Sequence, residues 1–303
     1  MISREAQSTL ATIEERDMKA VFRDEPAYKA ALAASEALGG KSPAPQSEWV
    51  EGVQVEKSTL GCGSELWRLS PSQGASTGAR VLYIHGSGFV LPCGEPQWRF
   101  ATALALKTGS EVSLVLYPLA PVATYKETCS AVMDAYETLL SQDPAHIVVA
   151  GDSAGGYLAL ACAHMSRERG LRAPDHVIAL SPCIDFYDAL EGREELDSAD
   201  PLISLTGLRF ILREWSPKRA CQGVFPPDLW AASYEGLPPT TILVGSREVL
   251  LKDSLAYAGN AHKAGADVTL HVEEGMWHTY PLFMEMPEAA DALKEIASIV
   301  QGV

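Results

Sequence analysis

The stretch 147–157, Ile-Val-Val-Ala-Gly-Asp-Ser-Ala-Gly-Gly-Tyr, constrains the fold of this chain more than any other. A β-branched apolar run ends at Ala150, Gly151-Asp152-Ser153-Ala154-Gly155 follows, and a helix-compatible segment begins at once. That order predicts a strand, a tight turn and a helix, with the central serine strained and its hydroxyl lifted clear of the sheet. The flanking glycines remove side chains that would collide where strand and helix nearly touch. The N–H of Ala154 then lies at a helix N-terminus, where negative charge can be held. Gly-x-Ser-x-Gly alone occurs by chance in many chains. Between a buried strand and a helix it marks Ser153 as a candidate nucleophile.

The rest of the chain supplies the sheet that such a turn requires. Apolar runs recur at 81–84, 112–117, 147–150, 177–180, 241–244 and 268–272, and helix-like segments at 98–107, 127–140, 157–169 and 254–263 separate most of them. A last helix is expected over about 287–300. Buried strands alternating with amphipathic helices predict an α/β fold: a mostly parallel central sheet with helices on both faces. Two antiparallel edge strands, 49–56 and 64–69, are expected around the 61–63 turn. Two intervals fall outside the alternation. Residues 1–45 read as helical, broken by Pro26, ended by Gly39-Gly40 and followed by a linker-like stretch. About sixty residues separate the strand ending at Leu180 from the next, far more than a crossover needs, so about 184–225 reads as an insertion. The expected division is a helical cap segment over 1–45 and a catalytic domain over 46–303 that carries a cap insertion.

Composition narrows the partners. With 24 basic against 39 acidic residues the net charge is −15, which argues against nucleic-acid or anionic-membrane binding. No apolar run reaches spanning length, and the first residues lack the apolar core of a signal peptide. Six cysteines are scattered without a Cys-x-x-Cys pair, so a cytoplasmic protein with reduced thiols is expected. No metal-ligand spacing is visible, and the Gly-x-Gly stretches lack a dinucleotide context, so no cofactor is expected.

The chemistry-bearing candidates cluster at strand ends. The strand at 81–84 runs into His85-Gly86-Ser87-Gly88-Phe89, a small-residue loop whose N–H groups, with that of Ala154, could hold an oxyanion. Of seven histidines, His278 lies in a loop just beyond a strand's C-terminal end, the edge a nucleophile at Ser153 would face. Between them, the strand at 241–244 is followed by Glu248 and, five residues on, Asp253. Glu248 is favoured as the acid because it follows the strand end directly, whereas Asp253 fits a helix N-terminus.

Taken together, these residues resemble the hormone-sensitive-lipase-like carboxylesterases of the α/β-hydrolase superfamily, in the branch carrying Gly151-Asp152-Ser153-Ala154-Gly155. The likeness covers roughly 80–300 and includes His85-Gly86-Ser87-Gly88, Leu119-Ala120-Pro121, Ser181-Pro182 with Asp185, Asp200-Pro201, Glu248 with Asp253, and Gly275-Met276-Trp277-His278. The resemblance implies a Ser153/Glu248/His278 triad, an oxyanion hole from residues 86–88 and Ala154, a lid from the N-terminal helices and the insertion, and often a homodimer. It also implies a small-molecule ester or lactone as substrate. Candidate substrate contacts are Phe22, Phe186, Tyr187, Phe210 and Trp215 of the lid, with Phe89 and Asp152 beside the loop and the nucleophile. The same triad would also serve acyl transfer, lactone opening, cyclisation or carbon–carbon cleavage, and a ligand receptor on this scaffold would lack the base.

Two departures from the family stand out. Ser87 replaces a usual third glycine, and a positive φ there would strain it. The 117–124 segment lacks the arginine and glutamate usual around Leu119-Ala120-Pro121.

Overall fold

The computed structural model describes residues 2–75, 78–186, 190–216 and 228–303. Two helices, α1 (Arg4–Glu15) and α2 (Glu25–Ala37), lead into β1 (Val53–Thr59), β2 (Glu65–Pro71) and β3 (Ala79–Ile84). The alternation then runs α3 (Glu95–Thr108), β4 (Glu111–Leu116), α4 (Tyr125–Leu140), β5 (His146–Asp152), α5 (Ala154–Glu168) and β6 (His176–Leu180). Next come α6 (Arg193–Asp197) and α7 (Leu205–Trp215), then β7 (Thr240–Gly245), α8 (Leu251–Lys263), β8 (Val268–Glu273) and α9 (Pro287–Gly302). The strands form one eight-stranded sheet in the order β1-β2-β4-β3-β5-β6-β7-β8. The β1/β2 and β2/β4 pairs are antiparallel, and β3 pairs in parallel with β4 and β5. The β5/β6, β6/β7 and β7/β8 pairs are parallel too. This is the α/β architecture that the alternation predicts.

The central strands are apolar on both sides because both faces are covered. In β3, Leu82 and Ile84 face the core built with α2, α4, α5, α7 and α8, while Val81 and Tyr83 face that of α1, α3 and α9. The same alternation divides Ile147 and Val149 of β5 from Val148 and Ala150. Each buried Val, Leu or Ile among them contributes about 1.5–3 kcal/mol. Parallel pairing brings the strand ends to one rim: Ile84 lies opposite Gly151, Asp152 opposite Leu180, and Gly245 opposite Glu273.

Element boundaries differ from expectation where turn chemistry intervenes. Residues 47–49 form a 3₁₀ turn, so β1 begins at Val53 rather than Trp49. Pro26 does not break a helix. It sits in the first turn of α2, where its missing N–H has no helical partner to lose, and the chain turns earlier, at Asp17 with φ 49°. α5 begins at Ala154, directly after Ser153.

Candidate active site

Ser153 stands between β5 and α5 with φ 54° and ψ −115°, a conformation costing about 1–3 kcal/mol for a non-glycine residue. Its neighbours leave it little choice. Its N–H donates to Leu180 O at 2.7 Å, and its carbonyl accepts from Tyr157 and Cys183 at 3.1 and 3.2 Å. The glycines on either side are there for space: a Cβ at Gly155 would lie 1.9 Å from Ile84 O, and one at Gly151 2.2 Å from Gly155 O.

His278 follows β8, and its Nδ1 lies 2.6 Å from Glu248 Oε2. An ionised carboxylate only accepts, so Nδ1 carries the proton and the Nε2 lone pair is left for chemistry. Glu248 is fully buried and is oriented through its other oxygen, which accepts from Ser181 Oγ at 2.7 Å and Gly245 N at 2.6 Å. Ser181 Oγ in turn accepts the Thr279 N–H at 2.9 Å, tying this carboxylate to the loop that carries His278. Burial works against a charged imidazole. The hydrogen bond and charge of Glu248, with the charges of Asp200 and Asp152, outweigh it and raise the His278 pKa above its ordinary value.

Asp253 is engaged elsewhere. Its Oδ2 accepts from Ile184 N at 2.7 Å and Asp185 N at 2.8 Å, and Arg193 stands beside it. Burial, only partly offset by Arg193, pushes its carboxyl up to about 6. Asp253 therefore anchors the start of the insertion, a role beyond that of a helix-end charge. His85 is also no rival base: it is buried, stacked on Tyr117 at 4.2 Å, and held down to about 3 by desolvation.

The loop after β3 has three consecutive residues with positive φ: Ser87 at 71°, Gly88 at 63° and Phe89 at 61°. The strain expected if Ser87 left the ordinary region is therefore present. One expected oxyanion donor is otherwise committed, because Gly86 N donates to Asp152 Oδ1 at 3.0 Å. Ser87, Gly88 and Ala154 line the same cavity as Ser153 and His278, and Gly86 does not. Tyr117, unremarkable in sequence, braces the loop by donating its hydroxyl to His85 O and Gly86 O at 2.8 and 2.9 Å.

The cavity has a volume of about 270 Å³. Of the candidate substrate contacts, Phe89 and Asp152 line it. Phe186, Phe210 and Trp215 do not. Trp215 stacks on Phe89 at 3.8 Å and donates to Thr128 Oγ1, Phe186 packs on Tyr157, and Phe210 stacks on Tyr28. Large aromatic surfaces are better satisfied packed on one another than left open. Tyr187 and the side chain of Phe22 lie outside the described residues. The walls are instead aliphatic, with Leu202, Ile203, Leu208, Ile211 and Leu212 of the insertion and Met18 of the N-terminal segment. Their helical spacing within α7 reads in sequence simply as a core face. A larger, more polar groove of about 580 Å³ along Lys41, Glu65, Tyr117 and Lys126 holds none of Ser153, Glu248 or His278.

A serine hydroxyl on a strained turn, an imidazole hydrogen-bonded to a buried carboxylate and a small-residue loop, all on one sheet rim, suit acyl transfer. The chain matches the alpha/beta hydrolase fold family over residues 81–282. It is 33% identical over 232 residues to an esterase of Acinetobacter venetianus, covering 76% of this chain and 77% of that one. It is 30% identical to the carboxylesterase/phospholipase LipF of Mycobacterium tuberculosis, over 84% of this chain and 71% of that one. Among solved structures, an esterase from the bacterial hormone-sensitive lipase family aligns with TM-score 0.81 at 26% identity, over 100% of this chain and 99% of its own. With a family match across most of its length, and with relatives of this kind, the chain belongs to the alpha/beta hydrolase family, in its hormone-sensitive-lipase-like carboxylesterase branch.

Proposed function

We propose that this carboxylic ester hydrolase works through Ser153 as nucleophile, His278 as general base and acid, and Glu248 as the group that orients the imidazole. Ser153 Oγ attacks the ester carbonyl carbon while its proton passes to His278 Nε2. The carbonyl oxygen becomes an oxyanion received by the N–H of Ala154 and those of Ser87 and Gly88, each such donor lowering the barrier by about 2.7–4 kcal/mol. Collapse breaks the C–O bond, and His278 returns the proton to the departing alcohol. Water, deprotonated by the same nitrogen, then attacks the acyl-enzyme, releasing the carboxylic acid and restoring Ser153.

The observation that carries this reading is the 2.6 Å contact between Nδ1 of His278 and the buried Glu248, with His278 lining the same cavity as Ser153. A cavity of about 270 Å³ with aliphatic walls favours acyl or alcohol groups of small to medium size. The same reading assigns residues 1–45 and about 184–225, of which 187–189 and 217–225 lie outside the described residues, to a cap on the catalytic domain, because Met18 and α7 supply that wall. A homodimer in the cytoplasm completes it, in keeping with the family resemblance and with five unpaired cysteines among the described residues. The test is labelling with a fluorophosphonate probe and turnover of p-nitrophenyl butyrate. Ser153→Ala should keep its fold, lose labelling and lose at least about 10⁴-fold in kcat. Undiminished labelling of that variant would sink the mechanism.

A further inference from the structure

We infer that Gln97 is a positioning residue for the oxyanion loop, holding Ser87 in a backbone conformation that glycine would adopt unaided. The inference rests on the mechanism proposed above, because the loop matters only if it receives the oxyanion.

Ser87 has φ 71°, a region that side chains other than glycine avoid. Within the loop its carbonyl accepts from Leu91 N and Val90 N at 3.0 and 3.3 Å, and its side chain is held from outside. Gln97, in the first turn of α3, reaches it. Its Oε1 accepts the Gly94 N–H at 3.2 Å, closing the N-terminal cap of the helix and fixing which end of the amide is the donor. The Nε2 end faces the cavity wall, where it donates to Asp152 Oδ2 at 3.3 Å and to Ser87 Oγ at 3.5 Å. Asp152 is buried and passes the restraint on, since its Oδ1 accepts from Gly86 N at 3.0 Å and from Tyr83 Oη at 2.6 Å. One amide thus connects the side chain of Ser87 with the carboxylate that holds Gly86. Desolvation raises the Asp152 pKa, and the bonds from Tyr83 and Gln97 act against that rise.

The serine and the glutamine make one device. Without the amide, Ser87 would drift to ordinary φ and turn the backbone N–H groups of the loop away from the carbonyl oxygen. A glycine at that position would need no such hold. The dependence on Gln97 should therefore be strong with serine at position 87 and weak with glycine there, where only the restraint through Asp152 is left, a difference that capping of α3 alone could not produce.

The test is a double-mutant cycle on the full chain, with kcat and KM for p-nitrophenyl butyrate normalised to sites titrated by a fluorophosphonate. Gln97→Met keeps volume and removes the donor, and thermal melting checks the fold. In the otherwise unaltered enzyme it should lower kcat about tenfold with KM changed less than about twofold, below the 10²–10³ reported for complete loss of an oxyanion donor. In the Ser87→Gly background the same substitution should change kcat by less than about twofold, given additivity elsewhere. Equal losses in both backgrounds, or no loss in either, overturn the inference. Failure of the unaltered enzyme to label at Ser153 would overturn the mechanism and this inference together, whereas intact labelling with equal losses overturns the inference alone.

Discussion

The elbow at Ser153 and the loop at 86–89 both force a serine to positive φ at the same rim, but they are held by different means. The elbow is gripped by backbone: Leu180 O, Tyr157 N and Cys183 N on Ser153 itself, and carbonyls close against Gly151 and Gly155. The loop has backbone bonds as well, from Leu91 N to Ser87 O and from Ala120 N to Phe89 O, but side chains from distant elements add to them: Tyr117 after β4, Asp152 at the end of β5 and Gln97 on α3. Strain held by close-packed backbone persists as long as the fold does. Strain held by side chains can be released one hydrogen bond at a time.

Substitutions at each site can break or sharpen that contrast. The largest effect is expected from Gly155→Ala, whose new Cβ would meet Ile84 O at 1.9 Å with only backbone to move. It should destabilise by about 3 kcal/mol or more, read from denaturant unfolding, and an unchanged midpoint would break the claim. Tyr117→Phe comes next. It takes the hydroxyl away from His85 O and leaves Gly86 O only His85 Nδ1 at 3.2 Å, costing about 1–3 kcal/mol in stability, and should lower kcat about tenfold while Ser153 still labels.

Titration separates His278, the proposed base, from both turns. In the proposed mechanism the neutral imidazole is the active form, so kcat/KM should rise with pH through the His278 pKa, with a midpoint above that of an ordinary histidine. Burial lowers that pKa and Glu248 raises it, so Glu248→Gln should move the midpoint down, along with a large loss of rate. A midpoint that stays in place would assign the shift to other groups. The smallest effects come from relieving each strain. Ser153→Gly should abolish activity yet stabilise by about 1–2 kcal/mol. Ser87→Gly should stabilise by less, about 1 kcal/mol at most, because it also gives up the bond from Gln97. Equal gains would mean that the two turns are held alike.

Residues that act next to each other along the chain were legible in sequence. Gly151 to Gly155 announced a turn because strand, glycines and helix are consecutive, and Glu248 and His278 were legible by their places just beyond strands. What escaped was anything that needed a partner far off in sequence. Nothing near Gly86 says that its N–H belongs to Asp152, sixty-six positions on. Ser181 was visible only within a family motif, and its hold on Glu248 appears once β6 and β7 lie side by side. The aromatics of the insertion looked like substrate contacts by composition, yet Trp215 packs on Phe89, and the aliphatic residues of α7 form the wall.

The sequence by itself determined the alternating strands and helices, the rim on which loops collect, and the serine at its centre. These follow from hydrophobic period and from backbone geometry, both written locally. Only the tertiary structure decided which carboxylate meets His278, that Gly86 N is taken by Asp152, and what lines the cavity. Those outcomes depend on hydrogen bonds and contacts across the sheet, and two acids five residues apart, Glu248 and Asp253, become different once each is buried against its own partners.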